Sequence, residues 1–272
     1  MFRDISIGQY FPGESSVHRM DPRMKLILTF SYVVMLFIAF SGPSLLVGAL
    51  FVIIAYRVAG IPVRLILRGI KPIIPIVIIT GILNMFFVEG KAIFSFWVFS
   101  VSAEGVRMAV LMALRILCLI AGTALMTYTT SPIALTDGIE LLFAPLGRLG
   151  APVHEIAMMM TITLRFIPTL IEETDKIMSA QKARGGDLES GNFLQRVRAL
   201  IPILIPLFVS AFRRAEELAL AMECRCYHGG EGRTRMRILK FSSADVYSAL
   251  FMAGCVAAVV ALNRLGAALW AL

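Results

Sequence analysis

The chain has 272 residues, of which 58% are hydrophobic and only 16% charged, and its mean hydropathy is +0.81. A soluble core of this length needs less apolar material, so the composition argues against an ordinary water-soluble domain and favours a membrane protein. The net charge is +8, but the basic residues flank apolar runs and form no stripe interleaved with aromatic residues, which argues against nucleic-acid binding and in favour of anionic lipid.

Five apolar runs have about the length that crosses a hydrocarbon layer near 30 Å thick. They are Leu26–Phe40, Leu45–Ala59, Pro72–Val88, Val106–Tyr128 and Val246–Leu262. The first is not a cleaved signal peptide, because the 25 residues before it contain three acids and lead into no small-residue cleavage site. Asp21 and Pro22 instead suit the N-cap and first turn of a helix. The fold class predicted is an all-α membrane protein with about five transmembrane helices and a cytoplasmic domain of long helices.

Lysine and arginine excess predicts the orientation of these spans. The linker between the second and third runs carries four basic residues and no acid, so it is expected to be cytoplasmic; they are Arg57, Arg64, Arg68 and Lys71. The turn at Ser41–Ser44 is uncharged, and Glu89–Gly105 holds two acids and one lysine. Both should face outward. The N-terminus is therefore predicted to be cytoplasmic and the C-terminus outside, in a bacterial or archaeal cell membrane.

A polar region, residues 131–243, separates residues 1–130 from the final span and tail, residues 244–272. In it, a short helix is expected from Ser131 to about Pro145, and a much longer one from Ala151 to Arg184. A third should begin near Asn192 and stop at Gly229. Charged residues keep the long helices out of lipid, so they should lie along or below the membrane face. Three alanines at spacing four predict that the two long helices cross closely: Ala211, Ala215 and Ala219.

Both long helices are predicted to end in an arginine between two small residues, followed by glycine. The two sets are Ala183, Arg184 and Gly185, and Cys224, Arg225 and Cys226. A cation near the last carbonyls and a glycine in the left-handed position are ordinary helix-end chemistry. Small neighbours also leave each guanidinium uncovered, and an exposed arginine on a stiff helix suits docking into a carboxylate-lined groove.

Other functions have weaker support. A membrane enzyme, such as a hydrolase, would need a catalytic set, but the chain has no HExxH or GxSxG motif. Its glutamate pairs at Glu172–Glu173 and Glu216–Glu217 are expected to be solvated or paired with arginine. Cys224, Cys226 and His228 suggest zinc ligands, yet positions i and i+2 of a helix point apart and a fourth ligand is missing. No metal site is therefore predicted, and the cysteines are expected to be reduced.

A stand-alone secondary transporter is a further alternative, because polar groups inside spans can mark a solute path. Arg115 lies about ten residues into the fourth run and needs a partner, which Asn84 of the third run or another subunit could supply. An internal hydrogen-bonded anchor explains Arg115 equally well. One buried charge without an inverted repeat does not make a complete pathway.

The chain resembles the transmembrane T component of energy-coupling factor (ECF) transporters, the CbiQ-like or BioN-like family. The matching residues are the opening GQYFPGESSVHRMDPRMKL at Gly8–Leu26, the Ala183–Gly185 motif, and the second arginine motif at Cys224–Cys226. The resemblance covers nearly the whole chain, including the order of spans, cytoplasmic helices and final span. The second motif departs from the family pattern, since cysteines replace alanine and glycine.

The resemblance implies a non-catalytic subunit of an importer for a vitamin or a metal ion. Its partners would be two ABC-type ATPases and a substrate-binding membrane S component, within the lipid bilayer. Arg184 and Arg225, with their small neighbours, would each dock one ATPase through what the family calls coupling helices. ATP and magnesium would be used by the ATPases, and this chain would bind no cofactor. The sequence does not identify the substrate, which belongs to another subunit.

Overall fold

A computed structural model describes residues 10–88, 92–96, 99–147, 149–186, 192–230 and 239–270. Gly8 and Gln9 of the opening motif and Glu89 of the predicted outer loop lie outside the described residues. The first half contains α1 (Ser16–Arg19), α2 (Pro22–Ile38), α3 (Gly42–Ala59), α4 (Val63–Ile70), a 3-10 turn (Lys71–Ile73), α5 (Ile74–Phe87), β1 (Ala92–Phe96), β2 (Phe99–Ser102) and α6 (Ala103–Thr129). The second half contains α7 (Pro132–Gly147), α8 (Val153–Ala183), α9 (Phe193–Glu223) and α10 (Ser243–Trp270).

Four helical segments of the described chain are long and apolar enough to cross a membrane. They are Gly42–Ala59, Val63–Phe87, Ala103–Thr129 and Ser243–Leu265. Each contains or overlaps one of the predicted runs. The first predicted run lies mostly on α2, which at 17 residues is slightly shorter than these four. The predicted all-α membrane class is confirmed, with one antiparallel hairpin, β1–β2, between α5 and α6.

The described chain divides into two compact units. One contains Ile139–Ile238, with most of α7 and all of α8 and α9, and the other contains Gly8–Gly138 and Leu239–Leu272. The second unit holds the helices long enough to span a membrane and is called the membrane unit below. The first is called the helix-pair unit, after α8 and α9.

In the membrane unit, α10 is fixed to α2 at both ends. The buried carboxylate of Asp245, at the start of α10, accepts the backbone N–H of Asp21 at 3.0 Å. At the other end, Asn263 Nδ2 donates to the carbonyl of Ile38 at 2.6 Å, and Asn263 Oδ1 accepts from Ser44 Oγ at 2.7 Å. The helices α2 and α10 therefore run in the same direction, and α3 runs the opposite way.

The core of this unit is built around aromatic side chains of α2 and α3. Tyr32 is 2% exposed and donates its hydroxyl to the carbonyls of Gly48 and Cys118, both at 3.3 Å. Its ring stacks on Phe51, whose ring stacks in turn on Phe251. Buried tyrosine hydroxyls need such acceptors, since no water reaches the hydrocarbon layer.

Helix boundaries in the helix-pair unit follow the predicted caps with three corrections. The helix α9 begins directly after Asn192, as predicted, and Asn192 forms a capping box with Gln195. The helix α8 begins at Val153, two residues after the predicted start at Ala151. However, α7 continues past Pro145 to Gly147. The predicted end of α9 at Gly229 is also wrong, because the helix ends at Glu223 and the chain turns at Cys226.

Candidate functional site

The helices α8 and α9 have 31 residues each, about 45 Å of helix, and pack against one another. About two-thirds of the way along each helix, Glu173 accepts hydrogen bonds from Ser210 Oγ at 2.8 Å and from Arg214 Nη2 at 2.6 Å. Further along α8, Gln181 Nε2 donates to the carbonyl of Pro202 at 3.2 Å. Since the contacts move backward along α9 as they move forward along α8, the two helices are antiparallel.

The antiparallel arrangement places the two arginine motifs at opposite ends of the pair. Arg184 follows Glu173 by eleven residues, and Arg225 follows Arg214 by the same number. At about 1.5 Å per residue, each motif lies about 17 Å from the central contact, in opposite directions. The helix pair thus has an approximate two-fold arrangement around the Glu173–Arg214 ion pair.

Both helix ends are closed by the same set of backbone hydrogen bonds. On α8, the N–H of Gly186 donates to the carbonyl of Gln181 at 2.9 Å and that of Gly185 donates to Lys182 at 3.0 Å. On α9, the corresponding N–H groups of Tyr227 and Cys226 donate to Met222 at 3.1 Å and to Glu223 at 2.8 Å. This is the Schellman pattern, which satisfies carbonyls left open at a helix end.

A left-handed residue follows the arginine in each motif. Gly185 has φ +85°, as predicted for the glycine of the first motif, and Cys226 has φ +55°. Cys226 therefore takes the backbone position that the sequence pattern assigned to glycine, although a side chain is unfavourable there. The cysteine substitution thus preserves the shape of the second helix end.

All six residues of the two motifs are exposed. The set is Ala183, Arg184, Gly185, Cys224, Arg225 and Cys226. Within the described ranges, neither guanidinium forms an ion pair with an acid, in contrast to Arg214 at the helix crossing. Two cations at the ends of stiff helices are consequently available to acidic groups of another protein.

The contact face of α9 differs from the predicted alanine stripe. Ala215 and Ala219 are exposed, and Ala211 is only half-buried. The side chains that meet α8 include Ser210 and Arg214, one residue before Ala211 and Ala215. Close crossing through alanine is therefore wrong, and polar side chains make the central contact instead.

The chemistry at this contact lies outside the membrane-spanning segments. Hydrogen bonds from Ser210 and Arg214 lower the pKa of the Glu173 carboxyl below its ordinary value. The ionised form is favoured, and it accepts from both donors. Glutamate pairs were expected to be solvated or arginine-paired, and Glu173 is paired with Arg214 in this way.

Two other polar residues singled out in the sequence, Arg115 and Asn84, belong to the membrane unit. Arg115 Nη2 donates to the carbonyl of Ala39, just after α2 ends, and Asn84 Nδ2 donates to the carbonyl of Thr80 at 2.8 Å. Arg115 therefore caps the end of a neighbouring helix and does not use Asn84. No group of three His, Cys, Asp or Glu side chains is arranged to hold a metal ion in the part of the chain that is described.

One polar cluster was not predicted from the sequence, although Asp21, one of its members, was predicted to be a helix N-cap. Arg23 forms an ion pair with Asp21 at 2.9 Å and lies over the Phe241 ring at 4.6 Å. Asp245 accepts the N–H groups of Asp21 and Ser242. The only signal in the sequence was an acid, Asp245, in the first turn of an apolar helix. This cluster therefore connects the start of α2 to the start of α10.

Comparison with known proteins places these features in a family. Residues 13–236 match the CbiQ family model, described as cobalt transport protein. Three relatives share the description energy-coupling factor transporter transmembrane protein EcfT. That of Ruminiclostridium cellulolyticum is 54% identical over 246 residues, covering 90% of this chain and 92% of the relative. Those of Thermosediminibacter oceani and Clostridium kluyveri are 51% and 50% identical, covering 96% and 99% of this chain, and 98% and 99% of the relatives. The chain therefore belongs to the CbiQ family, as a transmembrane subunit of an energy-coupling factor transporter.

Proposed function

We propose that this subunit couples two ABC-type ATPases to a substrate-binding membrane S component. The observation that carries the proposal is the pair of matched, exposed arginine ends on α8 and α9. The ends share one backbone geometry and point in opposite directions from the central contact. One chain can therefore present the same chemical feature to two related subunits, each with an acidic groove.

The helices suit transmission of movement. ATP-driven closure of paired ATPases would displace whatever is docked to them, and a helix passes on displacement that a loop would absorb. In this proposal the chain binds no nucleotide or metal, and the ATPases supply ATP and magnesium chemistry. The cargo, a vitamin or a metal ion, is recognised by the S component. The N-terminus is cytoplasmic and the C-terminus lies outside.

The test replaces each docking arginine with an acid, as Arg184→Glu and Arg225→Glu. Each variant should lower the amount of ATPase that co-purifies with the membrane subunit and reduce substrate uptake, because glutamate repels an acidic groove. Arg213→Glu is the control, since Arg213 is an exposed arginine of α9 away from the helix end. Normal complex yield and normal uptake in both end variants would contradict the proposal. Uptake without any ATPase would favour a secondary transporter instead.

A further inference from the structure

The membrane unit contains a cavity of about 320 Å³ between α2, α3, α6 and α10. Its walls are mostly apolar, and its size is at the lower end of the range for small-molecule sites. The deep wall is formed by Tyr32 and Val52, which are 2% and 6% exposed. A cavity of this kind stays free of water unless polar groups line it, so an apolar ligand is the favoured occupant.

The cavity has one polar end. Lys25, Thr129 and Tyr247 line it there, and they lie in the first turn of α2, at the last residue of α6 and near the start of α10. Tyr32 and Gly122 line it about two helical turns further in, about 10 Å away. The cavity thus runs from an end of the helix bundle, where lipid headgroups are expected, toward its middle.

Lys25 is the charged group of this end. It is 6% exposed, and its Nζ donates to the carbonyls of Thr129 at 2.8 Å and His18 at 3.2 Å. An ammonium group has three N–H donors, so one remains for a ligand. Asp245 interacts electrostatically with Lys25, and the hydrogen bonds described for its carboxylate come from the N–H groups of Asp21 and Ser242.

The cavity also opens sideways. Four residues of α3 and α10 that line it are exposed and carry apolar or aromatic surface: Ile54, Val58, Tyr247 and Phe251. In the subunit without its partners, residues exposed on membrane-spanning helices meet lipid or detergent. A lipid chain can therefore enter from the bilayer without leaving the hydrocarbon layer. We propose that this cavity binds one acyl chain of an anionic phospholipid, with Lys25 donating to the phosphate.

The proposal rests only on the chain being a membrane protein, and it is independent of where the ATPases dock. It is tested by native mass spectrometry of the full-length, detergent-purified subunit titrated with phosphatidylglycerol or phosphatidylcholine of identical acyl chains. The wild type should retain one phosphatidylglycerol and prefer it about fivefold, the effect of one basic residue near an acidic headgroup.

Two kinds of variant distinguish binding of the acyl chain in the cavity from binding of the phosphate by Lys25. Ala55→Phe and the milder Ala55→Leu fill the cavity and should lower retention of both lipids several-fold, because the added side-chain atoms take up the space that the acyl chain needs. Leu50→Phe places the same phenylalanine side chain on an exposed face of α3 and should behave as wild type. Lys25→Met should remove the preference for phosphatidylglycerol, and Lys25→Arg should keep it.

Three results would overturn the proposal. They are wild-type lipid retention in both Ala55 variants, equal retention of the two lipids by the wild type, and occupancy by detergent alone. Monodisperse elution and a thermal unfolding curve establish that each variant compared is folded.

Discussion

The left-handed cysteine of the second motif gives a sharp test of the helix-end geometry. A non-glycine residue at positive φ costs about 1 to 2 kcal/mol, whereas adding glycine increases the freedom of the unfolded segment by about 0.4 to 1 kcal/mol. Because Cys226 has φ +55°, Cys226→Gly should stabilise the end of α9 by a net of about 0.5 to 1 kcal/mol. Gly185→Ala should weaken the end of α8 by a similar amount.

Hydrogen exchange measured by mass spectrometry reports these changes at the capping amides. The N–H of Tyr227, which donates to Met222, should exchange about two to five times more slowly in Cys226→Gly. That of Gly186, which donates to Gln181, should exchange faster by a similar factor in Gly185→Ala. Cys226→Ala is the matched control, because it removes the thiol but keeps the Cβ. Equal protection in Cys226→Ala and Cys226→Gly, or faster exchange in Cys226→Gly, would refute the reasoning.

Three further predictions concern contacts within each unit. The lowered pKa of Glu173 means that its contribution to the α8–α9 contact is complete above the ordinary glutamate pKa and is lost as pH falls through the lowered value. Spin-label distances between α8 and α9 should therefore broaden in acid, and Glu173→Gln should remove this pH dependence. Asp245→Ala leaves two backbone N–H groups without their acceptor and should cost about 1 to 3 kcal/mol, seen as a lower midpoint of thermal unfolding in detergent; an unchanged midpoint would show that the tie is dispensable. Gly122→Ala makes a Cβ collide with the Tyr32 ring and should destabilise the protein by about 1 to 3 kcal/mol. Gly81→Ala, with no neighbour within 4 Å, should leave the midpoint of thermal unfolding unchanged. Equal midpoints for the two variants would contradict the packing.

Features set by local sequence were predicted well. Apolar run length located the four segments that are long enough to cross a membrane, and Asn192 was correctly placed at the start of α9. The arginine ends could also be found from sequence, because helix-stop chemistry is local. The end of α9 was predicted too far along the chain, at Gly229, because glycine was expected to supply the left-handed residue. Cys226 supplies it instead, three residues earlier.

Features that depend on the register of distant helices were not predicted. Arg115 contacts a carbonyl 76 residues away, and Asp245 binds an N–H 224 residues away. The partner of a polar group in a helix bundle depends on which turn of a neighbouring helix lies at the same height along the bundle axis. No short sequence pattern encodes that height. The same reason explains why the predicted contact through the alanine stripe was wrong, because a rotation of α9 by one residue, about 100°, selects a different contact face.

The central ion pair between Glu173 and Arg214 has a mechanical consequence. With a polar contact midway between two arms of about 17 Å, a relative rotation of about 10° around that contact would shift each tip by about 3 Å in opposite senses. A hydrogen-bonded hinge point tolerates such scissoring better than interlocked apolar side chains would. The direction in which each arginine points is thereby adjustable, while the distance between the two tips stays nearly constant.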